Sequence, residues 1–271
     1  MARVDISSGL RIRRRRRRAW ALAGVALVLI GLVTGAAAFS HAPFLRITRI
    51  EIVGAQTVAS STIMDTVQQQ LSGSYFFIFA RDNIFLYPKR GIDNALLFLY
   101  PQLKSVDVHA GDFNSIAVSV VERAPKALWC GSGPGVGACS YVDEDGVVYA
   151  QAPDFNMPLY VEYLGVATGT PVSDSALQFL TSEQFHSLAA LIDALTTPEN
   201  QVHTVTVDDV GDVRAYFQNN FILIFSLGDE GGDIYERYKL ALQSDPFKNH
   251  TIADFEYLDL RFGDKLYYKL K

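Results

Sequence analysis

A run of arginines directly before a long apolar stretch constrains this chain more than any other feature. Seven arginines lie between Arg11 and Arg18, and the 21 residues at 19–39 carry no charge. As a helix, this stretch extends roughly 31 Å at about 1.5 Å per residue, enough to cross a hydrocarbon core of about 30 Å. Because arginine clusters stay on the cytoplasmic side, the sequence predicts a cytoplasmic Arg-rich tail at 1–18, a transmembrane helix at 19–39 and export of residues 40–271.

This region has two other interpretations. The small residues at 36–38 would suit a cleaved secretory signal. The apolar segment is longer than a typical signal core, and Trp20 lies where an interfacial aromatic anchors a permanent helix, so a retained anchor is favoured. The arginines would also suit nucleic acid, but their position beside the helix favours contact with anionic membrane lipid. We therefore expect a single-pass protein of the plasma (inner) membrane with a cytoplasmic N terminus.

The charge of the exported part indicates what it binds. The whole chain has a formal charge of -5, whereas residues 1–18 hold eight Arg and one Asp, so subtracting this +7 leaves the exported part at -12. An acidic domain is repelled by nucleic acid and by an anionic lipid surface. We expect protein partners, with no nucleic acid, no small-molecule substrate and no cofactor.

Cys130 and Cys139 are the two cysteines of the chain, and both lie in the part expected to be exported. Since oxidation is possible there, a disulfide is favoured; it would close the glycine-rich loop and stabilise the fold by roughly 2.5–3 kcal/mol. Free thiols in a reducing host remain an alternative. A metal site is a weaker one, because two thiols without a nearby His or second Cys pair fall short of four ligands.

Hydrophobic periodicity after the apolar stretch predicts a two-layer domain. A linker at 40–46 precedes a β-prone run, two amphipathic segments follow, and two alternating runs complete the pattern. The order is β-α-α-β-β, with both helices expected on one face of the sheet. The predicted elements lie at 47–53, 60–72, 91–100, 106–108 and 116–120, in a domain spanning 47–123.

From Ala124 onward, short alternating runs with turn signals predict a second, mostly antiparallel β domain at 124–271. Two helices interrupt it, so the fold class is α+β. The predicted strands on either side of the cysteine loop are followed by a turn at 143–146. The remaining predicted elements are helices at 182–195 and 234–242, a meander at 202–207, 213–217 and 221–225, and a terminal hairpin at 253–262 and 265–270.

Several short stretches carry a resemblance to a known family. They are residues 50–54, the pair Tyr100-Pro101, the stretch at 116–125 with its Glu-Arg-Ala-Pro ending, and Leu-Asp-Leu-Arg at 258–261. In this order they resemble the FtsQ/DivIB family of single-pass bacterial cell-division proteins, with a POTRA domain at 47–123 and an FtsQ-like β domain at 124–271. The aromatic-rich segment at 74–89 is longer than the family's usual link, and the cysteine loop is not a family feature.

The resemblance implies a non-enzymatic scaffold of the divisome, located at the division site, that recruits and aligns other membrane proteins for septal wall synthesis. It implies FtsB and FtsL as partners at the last edge of the β domain. Independently, a terminal strand at a sheet edge has unpaired backbone groups that can accept a partner strand, although it can also merely finish the sheet. The expected partner-binding residues are Arg261, Phe262, Lys265, Leu266, Tyr267, Tyr268, Lys269 and Leu270.

Other residues invite different chemistry. A calcium site at 143–145 lacks the spacing of an EF-hand, so a solvated turn is favoured, and the five histidines fit no catalytic motif. An envelope protein that handles unfolded chains in transport or assembly, and a tethered wall hydrolase, remain weaker alternatives. Five aromatics could form an exposed docking patch, but burial is favoured for so many. They are Phe76, Phe77, Phe79, Phe85 and Tyr87.

Overall fold

The computed structural model describes residues 7–112, 114–131, 138–155, 157–167, 171–173, 176–245 and 247–271. Within them the fold is α+β, with five α-helices and one large sheet. The chain divides into two compact units. The first holds the described residues up to Leu96 together with Val106–Val120, and the second holds Leu97–Ser105 together with Val121–Lys271.

Helix α1 is the longest element and spans Ser7–Ser40. Its part from Arg16 to Ser40 is long and apolar enough to cross a membrane, by length and composition, and none of its apolar window is buried within the protein. The helix begins before the predicted span because arginine is a good helix former and nothing in the run interrupts it. The expected linker is also structured, since a 3-10 helix forms at Pro43–Leu45 and Leu45 is buried.

The first unit and its flanks contain a small sheet and two helices. In chain order, the elements are β1 Arg49–Val53, α2 Ser60–Leu71, β2 Ser74–Tyr75, β3 Phe79–Ala80, α3 Lys89–Leu99, β4 Leu103–Ala110 and β5 Ser115–Glu122. The sheet has the order β1-β5-β4, with β1 parallel to β5, while β2 and β3 form a separate hairpin. The long elements therefore follow as strand, helix, helix, strand, strand. The β2–β3 hairpin between the helices was not predicted.

The helices of this part bury most of the residues that the periodicity singled out, although Leu99 of α3 is 52% exposed and Ala95 is half-buried. Ile63, Val67 and Leu71 of α2 recur at four-residue spacing and are buried, as are Ile92 and Leu96 of α3. Such spacing places side chains on one helix face, which here is the face away from solvent.

The second unit is built on one continuous sheet of 11 strands in the order β10-β11-β8-β7-β6-β9-β12-β13-β14-β15-β16. Most neighbours are antiparallel, as predicted, but β6–β9, β9–β12 and β14–β15 are parallel. The strands are β6 Ala127–Trp129, β7 Ser140–Val142, β8 Val147–Gln151, β9 Glu162–Leu164, β10 Pro171–Ser173, β11 Ala176–Gln178, β12 Val202–Val207, β13 Asp212–Phe217, β14 Ile222–Ser226, β15 Phe255–Phe262 and β16 Lys265–Leu270.

Two helices cover the core of this sheet. Helix α4 spans Ser182–Leu195 and begins with a capping box between Thr181 and Gln184. Helix α5 spans Gly231–Gln243 and contacts α4 and β15. Short 3-10 helices at Phe247–Asn249 and Ile252–Asp254 lead into β15. The largest fully buried side chains here are aromatic: Tyr163, Phe179, Phe185, Phe217, Phe221, Phe225 and Phe255.

A disulfide joins Cys130, directly after β6, to Cys139, directly before β7. Cys130 is buried in a small cluster with Leu128, Ala152 and Leu164. The bond therefore ties the ends of two paired strands. Most of the glycine-rich loop, at 132–137, lies outside the described residues.

Candidate interaction surface

Strand β16 lies at one end of the large sheet, the edge position that the family resemblance implies for it. It pairs with β15 in antiparallel register, and no other strand among the described residues pairs with it. In an edge strand, the outward row of backbone N–H and C=O groups has no ladder partner within the sheet. Another strand could pair with this row through backbone hydrogen bonds alone, whatever the side chains of β16.

The side chains of β16 divide between its two faces, because successive residues of a strand point in opposite directions. Leu266 packs against the main core, and the Tyr268 ring lies 5.6 Å from the Phe247 ring, between centroids. On the other face, the Tyr267 ring lies 5.1 Å from the Phe262 ring in an edge-on contact. Phe262 and Tyr267 are 53% and 51% exposed, so this aromatic pair is open to solvent.

Lysines accompany the exposed strand. Lys265 and Lys269 are exposed, and Lys269 Nζ lies 2.6 Å from Glu256 Oε2 on β15. The hydrogen bond to Glu256 raises the pKa of Lys269. Lys271 Nζ donates to the carbonyls of Asn219 at 2.9 Å and Ala253 at 2.8 Å, fastening the end of the strand. Edge lysines of this kind discourage indiscriminate strand pairing.

Arg261 is held rigidly just before the hairpin turn. Its Nε donates to Asp259 Oδ1 at 2.9 Å and its Nη2 to Asp259 Oδ2 at 2.6 Å, while Nη1 donates to Asp212 on β13. The hydrogen bonds to Asp259 raise the pKa of Arg261 further above its ordinary value. Burial alone would raise the pKa of Asp259, but the bonds from Arg261 outweigh it and the pKa lies below its usual range. Arg261, expected to bind a partner, is thus engaged within the chain.

A second arginine supports the turn itself. Arg237 of α5 donates to the carbonyl of Leu260 at 2.8 Å and to that of Gly263 at 3.4 Å. Its other terminal nitrogen lies 2.6 Å from Asp229 Oδ2. Gly263 has a φ of 61°, a conformation that glycine adopts without strain. Hydrogen bonds from Arg237 of α5 therefore hold the turn between β15 and β16 in place.

Sequence reasoning missed these supporting residues. Asp212 lies on β13, Asp229 in the connection before α5 and Arg237 on α5, and no local pattern links them to the hairpin. The pairing of Asp259 with Arg261 could have been predicted, because residues two apart in a strand share a face and these two have that spacing.

The acidic run at 143–145 forms a turn, but Asp143 is not solvated as expected. Its carboxylate is buried and pairs with Arg123, and it also accepts from the backbone N–H groups of Asp145 at 3.0 Å and Val147 at 2.9 Å. Lys104 Nζ lies 2.7 Å from Asp145 Oδ2, and this bond lowers the pKa of Asp145. The solvated-turn interpretation is wrong for Asp143, because the turn folds onto the arginine of the Glu-Arg-Ala-Pro stretch.

The favoured burial of the aromatic segment is wrong for three of its members. Phe76, Phe77 and Phe85 are 86%, 99% and 78% exposed, while Phe79 and Tyr87 are half-buried. The turn between β2 and β3 directs its two phenylalanines outward, so the segment presents an apolar surface.

Among the features predicted from sequence, the terminal hairpin combines a free backbone edge, an exposed aromatic pair and a rigid base. This arrangement suits binding of an extended peptide, in which main-chain hydrogen bonds supply affinity and side-chain contacts supply specificity. No protein-family model matches the chain, and no curated protein matches its sequence.

Proposed function

We propose that this chain is a scaffold of the bacterial divisome of the FtsQ/DivIB type. It is a single-pass membrane protein whose exported POTRA domain, at 47–123, and β domain, at 124–271, recruit and align other division proteins for septal wall synthesis. It acts by binding rather than by catalysis.

The N-terminal region supports this topology. An apolar helix preceded by arginines is the arrangement of an anchor with its N terminus in the cytoplasm. The strand and helix order of residues 49–122, with the β1-β5-β4 sheet, supports the POTRA assignment.

The observation that carries the proposal is the edge position of β16. A strand of the division protein FtsB, as the family resemblance implies, would pair with the outer backbone row of Lys265–Leu270 and extend the sheet. The exposed pair of Phe262 and Tyr267 would cover apolar side chains of the incoming strand. Arg261, Asp259 and Asp212 would serve as the rigid base of the hairpin, and FtsL is the second partner that the resemblance implies at this edge.

The test is capture of FtsB from the same organism by the full-length chain in detergent. Tyr267→Asp places a carboxylate on the proposed contact face, and we expect capture to fall at least tenfold. Val210→Asp is the matched control, because Val210 is 77% exposed and the charge change is the same. Equal capture by wild type and Tyr267→Asp would reject this edge as the binding site.

A further inference from the structure

The aromatic hairpin, defined as β2, β3 and their turn at residues 74–80, has an unusual surface. Phe76 and Phe77 at its tip are 86% and 99% exposed, and Phe85 beyond it is 78% exposed. No charged residue occurs between positions 74 and 80. An exposed apolar patch on a folded protein marks a site of contact with another apolar phase or molecule.

The backbone of the tip is held in a conformation that phenylalanine rarely adopts. Ile78 N–H donates to Tyr75 O at 3.0 Å, closing a turn around Phe76 and Phe77, whose φ angles are 50° and 62°. A turn with positive φ at both central residues usually carries Asn and Gly. Two phenylalanines in these positions cost conformational energy and bury little of their rings within the chain. Their presence is explained if the rings are covered by something else.

Hydrogen bonds fix this hairpin to the end of α1. Ser40, the last residue of the helix, receives the Ala80 N–H on its Oγ at 3.3 Å and the Asn83 Nδ2 on its carbonyl at 2.9 Å. Ser40 and Asn83 are both buried. The His41 Nε2 lies 3.0 Å from Ile78 O, within hydrogen-bonding distance. These hydrogen bonds fix the position of the hairpin beside the last turn of α1.

An apolar cavity of about 410 Å³ lies between the helix end and the hairpin. Ala36 and Phe39 of α1 line one side of it, and Phe76, Phe79, Phe85 and Leu86 line another. Ala36 lies about 6 Å before Ser40 along the axis, at 1.5 Å per residue. The cavity thus begins inside the uncharged stretch at 19–39 and continues onto the hairpin. The apolar surface of the helix and that of the hairpin are continuous.

We propose that the aromatic hairpin inserts into the extracytoplasmic leaflet of the membrane, with Phe76, Phe77 and Phe85 among the lipid chains near the headgroups. This rests on the proposed membrane anchor, which places Phe39 and Ser40 at that interface. Phenylalanine, like Trp and Leu, is a residue that interfacial segments bury at the boundary between headgroups and acyl chains. Lipid acyl chains fill the cavity beside Ala36, and the hairpin fixes how the first unit stands on the bilayer.

Charge favours lipid insertion over electrostatic attachment. The exported part carries -12, so an anionic surface repels it and apolar burial must supply the contact. The charged side chains next to the hairpin are engaged within the chain. Arg46 Nη2 lies 2.6 Å from Asp82 Oδ2, and the Arg81 guanidinium carbon lies 5.0 Å from the centre of the Tyr75 ring. Arg46, Arg81 and Asp82 thus lie where the surface changes from apolar to polar.

The test uses the full-length protein, one copy per nanodisc, in phosphatidylethanolamine and phosphatidylglycerol. Single cysteines at three exposed positions carry a nitroxide label: Phe77→Cys at the tip, Leu29→Cys within α1 and Val210→Cys as the water-facing control. The native Cys130 and Cys139 are joined and do not take the label. Relaxation by oxygen, which concentrates in lipid, is compared with relaxation by a water-soluble nickel chelate.

We expect the oxygen-to-nickel ratio at residue 77 to exceed that at residue 210 several-fold and to approach that at residue 29. A ratio at residue 77 equal to that at residue 210, with residue 29 in lipid, would overturn the insertion and leave the anchor intact. Shielding of residue 77 from both reagents would mean that protein covers it, which also overturns the proposal. Residue 29 in water would reject the anchor and the insertion together.

Discussion

Asp259 and Arg261 form a two-point ion pair on one face of β15, with Nε to Oδ1 at 2.9 Å and Nη2 to Oδ2 at 2.6 Å. Asp212 of β13 binds the remaining terminal nitrogen, so the guanidinium bridges two strands of the sheet. The side chains of Asp259 and Arg261 are 7% and 27% exposed. This fork lies directly before Phe262 and the turn into β16, so it fixes the end of β15 from which the hairpin turns.

Arg261→Leu should lower the free energy of unfolding by roughly 2–3 kcal/mol, because it leaves the buried carboxylate of Asp259 without its cation. Thermal unfolding of the full-length chain in detergent measures this. Lys269→Ala is the control, since it removes an exposed pair with Glu256 on the same hairpin. A loss for Arg261→Leu no larger than for the control would contradict a stabilising role for the fork.

Acid should weaken the same hairpin. Burial works against ionisation of Asp259, but the bonds from Arg261 prevail and lower its pKa in the folded state. Because the folded pKa lies below the unfolded value of about 3.9, the stabilisation is complete above about pH 5 and is lost as pH falls through the folded pKa. We expect the Tm difference between wild type and Asp259→Asn to be full at about pH 6 and to shrink below about pH 4. A difference that does not change with pH would refute this.

Asp143→Ala should be among the most destabilising single changes. The Asp143 and Arg123 side chains are 2% and 9% exposed. Removal of the carboxylate leaves the buried guanidinium of Arg123 and the backbone N–H groups of Asp145 and Val147 without their hydrogen-bond acceptor. Loss of one partner of such a pair costs about 3–5 kcal/mol. Glu144→Ala, next in the chain and 70% exposed, should cost only roughly 0–1 kcal/mol. Equal losses in chemical denaturation would show that the buried pair is not important for the fold.

Loss of the disulfide should destabilise the chain moderately. The bond closes a loop between residues nine positions apart, which corresponds to roughly 2.5 kcal/mol in the chain-entropy treatment. The Cys130→Ala, Cys139→Ala double variant should lose this amount, and a reductant should lower the Tm of the wild type towards that of the variant. A Tm of the wild type that does not respond to complete reduction would show that the bond does not stabilise the fold.

Local patterns predicted local structure well. The periodicity of Phe185, Leu188 and Ile192 indicated a helix at 182–195, and α4 spans these residues, with Thr181 and Gln184 capping its start. The terminal hairpin, predicted at 253–262 and 265–270 from two alternating runs around a Gly-Asp turn, is formed by β15 and β16.

Non-local structure could not be predicted in the same way. The parallel pairing of β9 with β6 and β12 merges the second unit into one sheet, and no short stretch encodes it. Burial of Asp143 depends on Arg123, 20 positions earlier in the chain. The exposure of Phe76 and Phe77 depends on their positive φ angles, which their own propensities disfavour.

The most direct test of the proposed function is the position of an amino-terminally labelled full-length copy in dividing cells of the native host. The divisome proposal predicts that the protein concentrates at the constriction and that its depletion produces filaments. A uniform signal around the envelope, with normal division after depletion, would contradict it.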